Sequence, residues 1–163
     1  MHDLAPSPAS PETPLRLHPP AARPCAPLAR VTSRSVAARK QLDPVPELLQ
    51  TKKWDAVRAI LITPPLSDCW GKKEQGGFLR NFAAALGDSG GDELAALEAR
   101  EDAMSHLRYL DMAAYNNVFS PAGGDAAVSA SKQLVKDYNE VPAQELAAST
   151  KALDLLVDLG RVK

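Results

Sequence analysis

The chain has 163 residues, of which 19 are basic and 20 acidic, so the formal net charge is −1. That charge is uneven: residues 1–40 carry six Lys and Arg against two acids, which leaves 13 basic and 18 acidic residues, net −5, for the rest. Because phosphate binding needs a positive field, this charge argues against nucleic acid as a partner of the acidic part. No apolar run approaches the about 18 residues of a transmembrane helix, so none is predicted.

Residues 1–42 are predicted to be a disordered leader. Eight of the 14 prolines fall between Pro6 and Pro27, and no periodic apolar residues accompany them. Such a segment cannot offset its chain entropy by burial. The run 30–39 is rich in Arg and Ser and lacks acids, which is typical of an organelle transit peptide; a disordered tail or a mispredicted gene start has the same composition. An apolar segment for transfer into a lumen is not visible.

The first two predicted helices span 44–62 and about 78–86. Asp43 can cap the first, Pro44 suits its first position, and Pro64 and Pro65 stop it because neither supplies an amide. Gly87 suits a left-handed cap at the end of the second.

A third, long helix is predicted from Asp92, its cap, to about Asn117. A weaker pattern at 126–139 suggests a short accessory helix. Pro142 at a first-turn position opens a final helix to about Leu159, whose inner side is predicted to consist of Leu146, Ser149, Leu153, Leu156 and Val157. Alternating β-branched runs are missing. The sequence therefore predicts an all-α fold, an up-down four-helix bundle over residues 43–163 behind the leader.

Residues that could carry chemistry are few. Asp102 and His106 have the i, i+4 spacing of a metal-binding pair, but no second pair appears on another helix, so we interpret His106 as a surface or boundary residue. Cys69 has no CxxC partner, and a Cys-His nucleophile is unsupported; we expect a half-buried loop thiol.

Asp111 is predicted either to form an interior ion pair or contact, with Arg108, Arg58 or Tyr115, or to be exposed.

Two basic pairs flank the first helix and its loop. They could dock on an acidic partner, although such pairs are usually only solvated. These weak candidates for protein binding are Lys52, Lys53, Lys72 and Lys73. The glycine pairs at 76–77 and 90–91 lack the spacing of phosphate loops and are interpreted as turns.

Four segments carry a family resemblance: KWDAVRAIL at 53–61, TPPL at 63–66, GFLRNFA at 77–83 and LDMAAYNNVF at 110–119. With them the chain resembles the PsbQ-like thylakoid lumenal proteins of algae and is similar to the diatom four-helix extrinsic subunit of photosystem II. The match extends more loosely to 141–159. The residues that we expect to determine the fold are Trp54, Arg58, Pro64, Pro65, Asp111, Tyr115 and Phe119. Of these, Trp54 is expected to anchor the core, so that its truncation would cost about 3–5 kcal/mol of stability.

This resemblance implies a function without catalysis. Such a subunit docks on the lumenal face of photosystem II beside other extrinsic subunits, shields the manganese cluster from bulk water, helps retain calcium and chloride, and needs no cofactor of its own. The expected location is the plastid, in the thylakoid lumen, peripheral to the membrane. The alternatives are a stand-alone soluble helical adaptor and a photosystem assembly factor.

Overall fold

The structure, a computed structural model, describes residues 28–70, 77–119 and 132–161, with the backbone alone over 132–139. Every regular element in these ranges is a helix, which confirms the predicted all-α class. The helices are α1 Leu28–Gln41, α2 Val45–Gln50, α3 Trp54–Leu61, α4 Ser67–Trp70, α5 Phe78–Asp88, α6 Glu93–Val118 and α7 Lys132–Leu159. None of the described helices is long and apolar enough to cross a membrane.

Helix α1 lies where the sequence predicted a disordered leader. Val31, Ser35 and Ala38 recur at helical spacing, and each is buried, as is Leu42 just after the helix. This face packs against α5 and α7. The leader prediction is therefore wrong for residues 28–42, because one narrow apolar face at i, i+4 spacing is enough to bury a helix against neighbours that cover it. Residues 1–27 lie outside the described residues.

The predicted first helix is broken in two. The amide of Lys53 donates to the carbonyl of Leu48 at 2.8 Å, and that of Lys52 to the carbonyl of Leu49 at 3.1 Å. These two bonds form a Schellman motif, which ends α2 and requires a left-handed residue at Lys52, where φ is +55°. The next helix, α3, begins at Trp54 and ends at Leu61, ahead of the Pro64–Pro65 pair.

The same motif ends α5, but here glycine occupies the left-handed position. Gly90 has a φ of +83°, and Gly91 donates to the carbonyl of Leu86 at 2.9 Å. The prediction that Gly87 caps this helix is therefore wrong, since Gly87 lies inside it. The predicted start of α6 is confirmed: the Asp92 side chain accepts from the amide of Ala95 at 2.9 Å.

Helix α7 is continuous from residue 132 and contains Pro142 in its interior, so the prediction that Pro142 opens a final helix is wrong. Pro142 is fully buried, so its packing offsets the amide that a helix interior loses there. The inward residues predicted for this helix are buried: Leu146, Ser149, Leu153, Leu156 and Val157. The accessory helix at 126–139 lies outside the described residues over 126–131, and its remainder belongs to α7.

The core is a single apolar cluster with α6 and α7 at its centre. These two helices pack along each other, and α3, α4 and α5 contact α6. Helices α1 and α2 contact α7. Leu94, at the first turn of α6, is 67% exposed and lies outside this core.

Candidate functional site

One ion pair joins α3 to α6 beside an aromatic ring. Arg58 Nε donates to Asp111 Oδ1 at 3.0 Å, and the Arg58 guanidinium carbon lies 4.7 Å from the centroid of the Tyr115 ring. The Asp111 side chain is only 19% exposed. Of the alternatives that the sequence left open for Asp111, the structure selects the pair with Arg58. The Arg58 guanidinium is thus held between a carboxylate and a ring face, where cation–π attraction adds to the charge pair.

Exposed apolar side chains form a stripe along α6, here called the aromatic face: Tyr109, Met112, Tyr115 and Phe119. Their exposed fractions lie between 46% and 69%. The Tyr115 and Phe119 rings pack against each other in a tilted arrangement, with 4.8 Å between centroids and an interplanar angle of 56°. Sequence reasoning expected Tyr115 and Phe119 to pack within the fold, and it missed Tyr109 and Met112. Their three-residue spacing on a long helix was the signal that could have shown a common face.

A groove with a volume of about 890 Å³ lies between α2 and α7 and is here called the α2–α7 groove. Apolar side chains make most of its walls, and two lysines and one carboxylate lie among them. The lining residues are Pro46, Leu49, Gln50, Lys52, Ala143, Leu146, Ala147, Thr150, Lys151 and Asp154.

The charge of this groove is positive. Lys52 and Lys151 contribute two ammonium groups, while Asp154 Oδ1 accepts from Arg39 Nε at 2.7 Å. Burial lowers the pKa of Arg39, but its hydrogen bonds to Asp154 and Asp43 and their negative charges outweigh that effect, so the pKa is raised overall. Arg39 therefore stays charged, and Asp154 shares it with Asp43.

Of the four predicted docking lysines, Lys52 lines the groove and Lys53 is exposed next to it. Lys72 and Lys73 lie outside the described residues. Lys151 was missed by sequence reasoning, because it comes close to Lys52 only when α2 packs on α7.

His106 joins α6 to α7. Its Nδ1 lies 2.7 Å from Glu145 Oε2, and the His106 side chain is 35% exposed. Asp102, the predicted i, i+4 partner on α6, is exposed. Within the described ranges, no three His, Cys, Asp or Glu side chains lie close enough together to hold a metal ion.

The remaining predicted residues belong to the core or to a turn. Cys69 is 2% exposed on α4, so the expected half-buried loop thiol is instead a core residue. Trp54 is only partly buried and packs against the edge of the core cluster, so it is not the central anchor that the sequence predicted. The peptide bond between Pro64 and Pro65 is cis, and the Gln41 side chain reaches across to this turn by accepting from the amide of Leu66 at 2.8 Å.

Three comparisons with known proteins returned no match. No protein-family model matches the chain, and neither a curated protein nor a solved structure matches it.

Proposed function

We propose that the protein is a non-catalytic accessory subunit of a photosystem, with photosystem II as the complex and its lumenal face as the place of binding. It stabilises the oxygen-evolving centre there by protein contacts, next to other extrinsic subunits and without a cofactor of its own. The observation that carries the docking role is the aromatic face of α6. The family resemblance supports the choice of complex.

The aromatic face has the composition of a protein interface. Tyr, Met and Arg are enriched in interface cores, and buried aromatic side chains supply much of the binding energy there. Tyr115 is held in place before any partner arrives, because the Arg58 guanidinium lies over its ring and the Phe119 ring packs against it. A side chain that is already ordered loses less entropy on binding.

Two segments that carry the resemblance meet at this site. Arg58 belongs to the segment at 53–61, and Asp111, Tyr115 and Phe119 belong to the segment at 110–119; the structure places the two side by side. This supports treating them as one functional unit.

The proposed up-down four-helix bundle consists of α1, α5, α6 and α7. Helix α1 contacts α5 and α7, α5 contacts α6, and α6 contacts α7, so these four helices close a ring of neighbours. Helices α2, α3 and α4 then form the long connection between the first two members of the bundle. This differs from the predicted bundle, whose first helix was 44–62.

Import into a plastid is part of the proposal, with one structural condition. A leader cleaved near residue 40 would remove Val31, Ser35 and Ala38, which are buried in the core. We therefore place the cleavage site ahead of residue 28.

The test is rebinding of the purified protein to photosystem II membranes from which the extrinsic subunits have been washed. The double variant Tyr115→Ala, Phe119→Ala removes this pair of rings and is expected to weaken binding at least about tenfold, a loss of about 1.4 kcal/mol. Leu155→Ala is the matched control, since Leu155 is 47% exposed on α7, away from the aromatic face, and it should bind as the wild type does.

Two results would count against the proposal. If the native protein stays wholly soluble in fractionated thylakoids and copurifies with neither photosystem, the photosystem role is wrong. If instead the double variant abolishes binding to a complex outside the plastid, the aromatic face is a docking surface and the adaptor alternative holds.

A further inference from the structure

The α2–α7 groove has the dimensions of a helix-binding site. Along α7 its lining runs from Ala143 to Asp154 at helical spacing. With a rise of 1.5 Å per residue this is about 16 Å, or about three turns of a partner helix. The volume of about 890 Å³ leaves room for the side chains of one helix face.

The chemistry of the groove is amphipathic. Pro46, Leu49 and Leu146 supply apolar walls, while Lys52 and Lys151 supply positive charge. Within the described part of the chain neither ammonium group takes part in an ion pair, and the carboxylate of Asp154 is occupied by Arg39. The lining therefore has two lysines against one carboxylate, and this net positive charge beside an apolar surface favours a ligand with carboxylates flanking its own apolar side chains.

Lys52 occupies this place against the local conformational preference. At the corresponding position of the α5 cap the chain has Gly90, since residues with a Cβ are disfavoured at positive φ. A lysine kept at the left-handed position of a Schellman motif breaks a local rule, and such violations concentrate at functional sites. Lys52 thus adopts the left-handed conformation at the point where its side chain lines the groove.

We infer that the α2–α7 groove binds an acidic amphipathic helix of another protein, with apolar side chains against Leu49 and Leu146 and carboxylates paired with Lys52 and Lys151. This surface is distinct from the aromatic face of α6. The inference goes beyond the proposed function and holds whether or not the larger complex is a photosystem.

The test uses the full chain and a synthetic probe. The probe is a capped peptide of about four helical turns with Leu at i, i+3, i+7 and i+10 and Glu elsewhere on its polar face, and its counterpart has Lys in place of each Glu. Affinities are measured by fluorescence anisotropy at low salt, and the binding surface is mapped by amide chemical-shift changes. We expect the acidic peptide to bind at least about tenfold more tightly than the basic one, because both lysines attract the first and repel the second.

Two matched substitutions on α7 separate the groove from the rest of the helix. Ala147→Glu places a carboxylate in the groove and should weaken the acidic peptide by about tenfold or more. Gln144→Glu adds the same side chain at an exposed position outside the lining and should change the affinity by less than about twofold. The double variant Lys52→Gln, Lys151→Gln keeps the groove but should remove most of the preference for the acidic peptide.

Three results would overturn the inference: equal affinity for the two peptides, unchanged binding by Ala147→Glu, or chemical-shift changes confined to the aromatic face of α6. Because the probe is synthetic, none of these results bears on the photosystem proposal. Loss of photosystem rebinding likewise leaves the groove inference intact.

Discussion

Leu42 tests most sharply whether the segment before residue 43 belongs to the folded domain. It follows α1 directly and is 2% exposed, within the same core cluster as Val45 and Leu153. If residues 1–42 were a disordered leader, truncating this side chain would cost nothing. Because Leu42 is packed in this cluster, Leu42→Ala opens a cavity in the core.

The size of the effect follows from the atoms removed. Leu→Ala deletes three carbons, which at about 0.8 kcal/mol each amounts to about 2.4 kcal/mol of lost burial. Incomplete collapse of the site raises the loss in the free energy of unfolding to about 3 kcal/mol. For about 120 ordered residues this corresponds to a fall in Tm of about 10–15 °C.

The assay is urea and thermal unfolding of the full chain followed by far-UV circular dichroism. Leu155→Ala is the control: the same truncation at a 47% exposed position should stay within about 0.5 kcal/mol of wild type. A loss below about 0.5 kcal/mol for Leu42→Ala as well would refute the packing of α1 and restore the interpretation of residues 1–42 as a leader.

Three further predictions concern local features of the fold, and each is measured by urea unfolding. Lys52→Gly should stabilise the fold by about 1 kcal/mol, because glycine adopts the left-handed conformation without the strain of a Cβ. Gly90→Ala should destabilise the fold by about 1 kcal/mol for the same reason, since a Cβ there meets nothing within 4 Å. Equal effects of the same sign would contradict this. A double-mutant cycle with Arg58→Ala and Asp111→Ala should give a coupling of about 1 kcal/mol, reduced from the value for buried pairs because both side chains are partly exposed; additive losses would show that the pair contributes nothing. Ser149→Ala should be neutral or stabilising by up to about 0.5 kcal/mol, since its hydroxyl only bonds back to the carbonyl of Glu145 at 2.7 Å; a loss above about 1 kcal/mol would mean that this hydroxyl has a stabilising role beyond the helix.

The candidate surfaces were only partly visible in the sequence. Arg58 and Asp111 were candidates as single residues, and Lys52 belonged to a basic pair. The sequence left the partner of Asp111 open among Arg108, Arg58 and Tyr115, and it did not show that Lys52 and Lys151 line one groove. Both arrangements depend on contacts between helices that are distant in sequence. The exposure of Tyr115 and Phe119 was also missed, since an apolar residue at helical spacing is equally consistent with a core face and with an exposed one.

The sequence by itself determined the helical class, the Asp92 cap of α6 and the inward face of the last helix, because capping side chains and apolar periodicity act over a few residues. Tertiary structure alone decided three further features. It buries α1, whose face is too narrow to stand out in a Pro- and Arg-rich context; it keeps Pro142 inside α7, where packing offsets a lost amide; and it divides the predicted first helix at Lys52. For α1 and for Pro142 the stabilisation comes from neighbours far along the chain, which a local pattern does not show. The break at Lys52 places a lysine in the left-handed conformation, which local preferences disfavour.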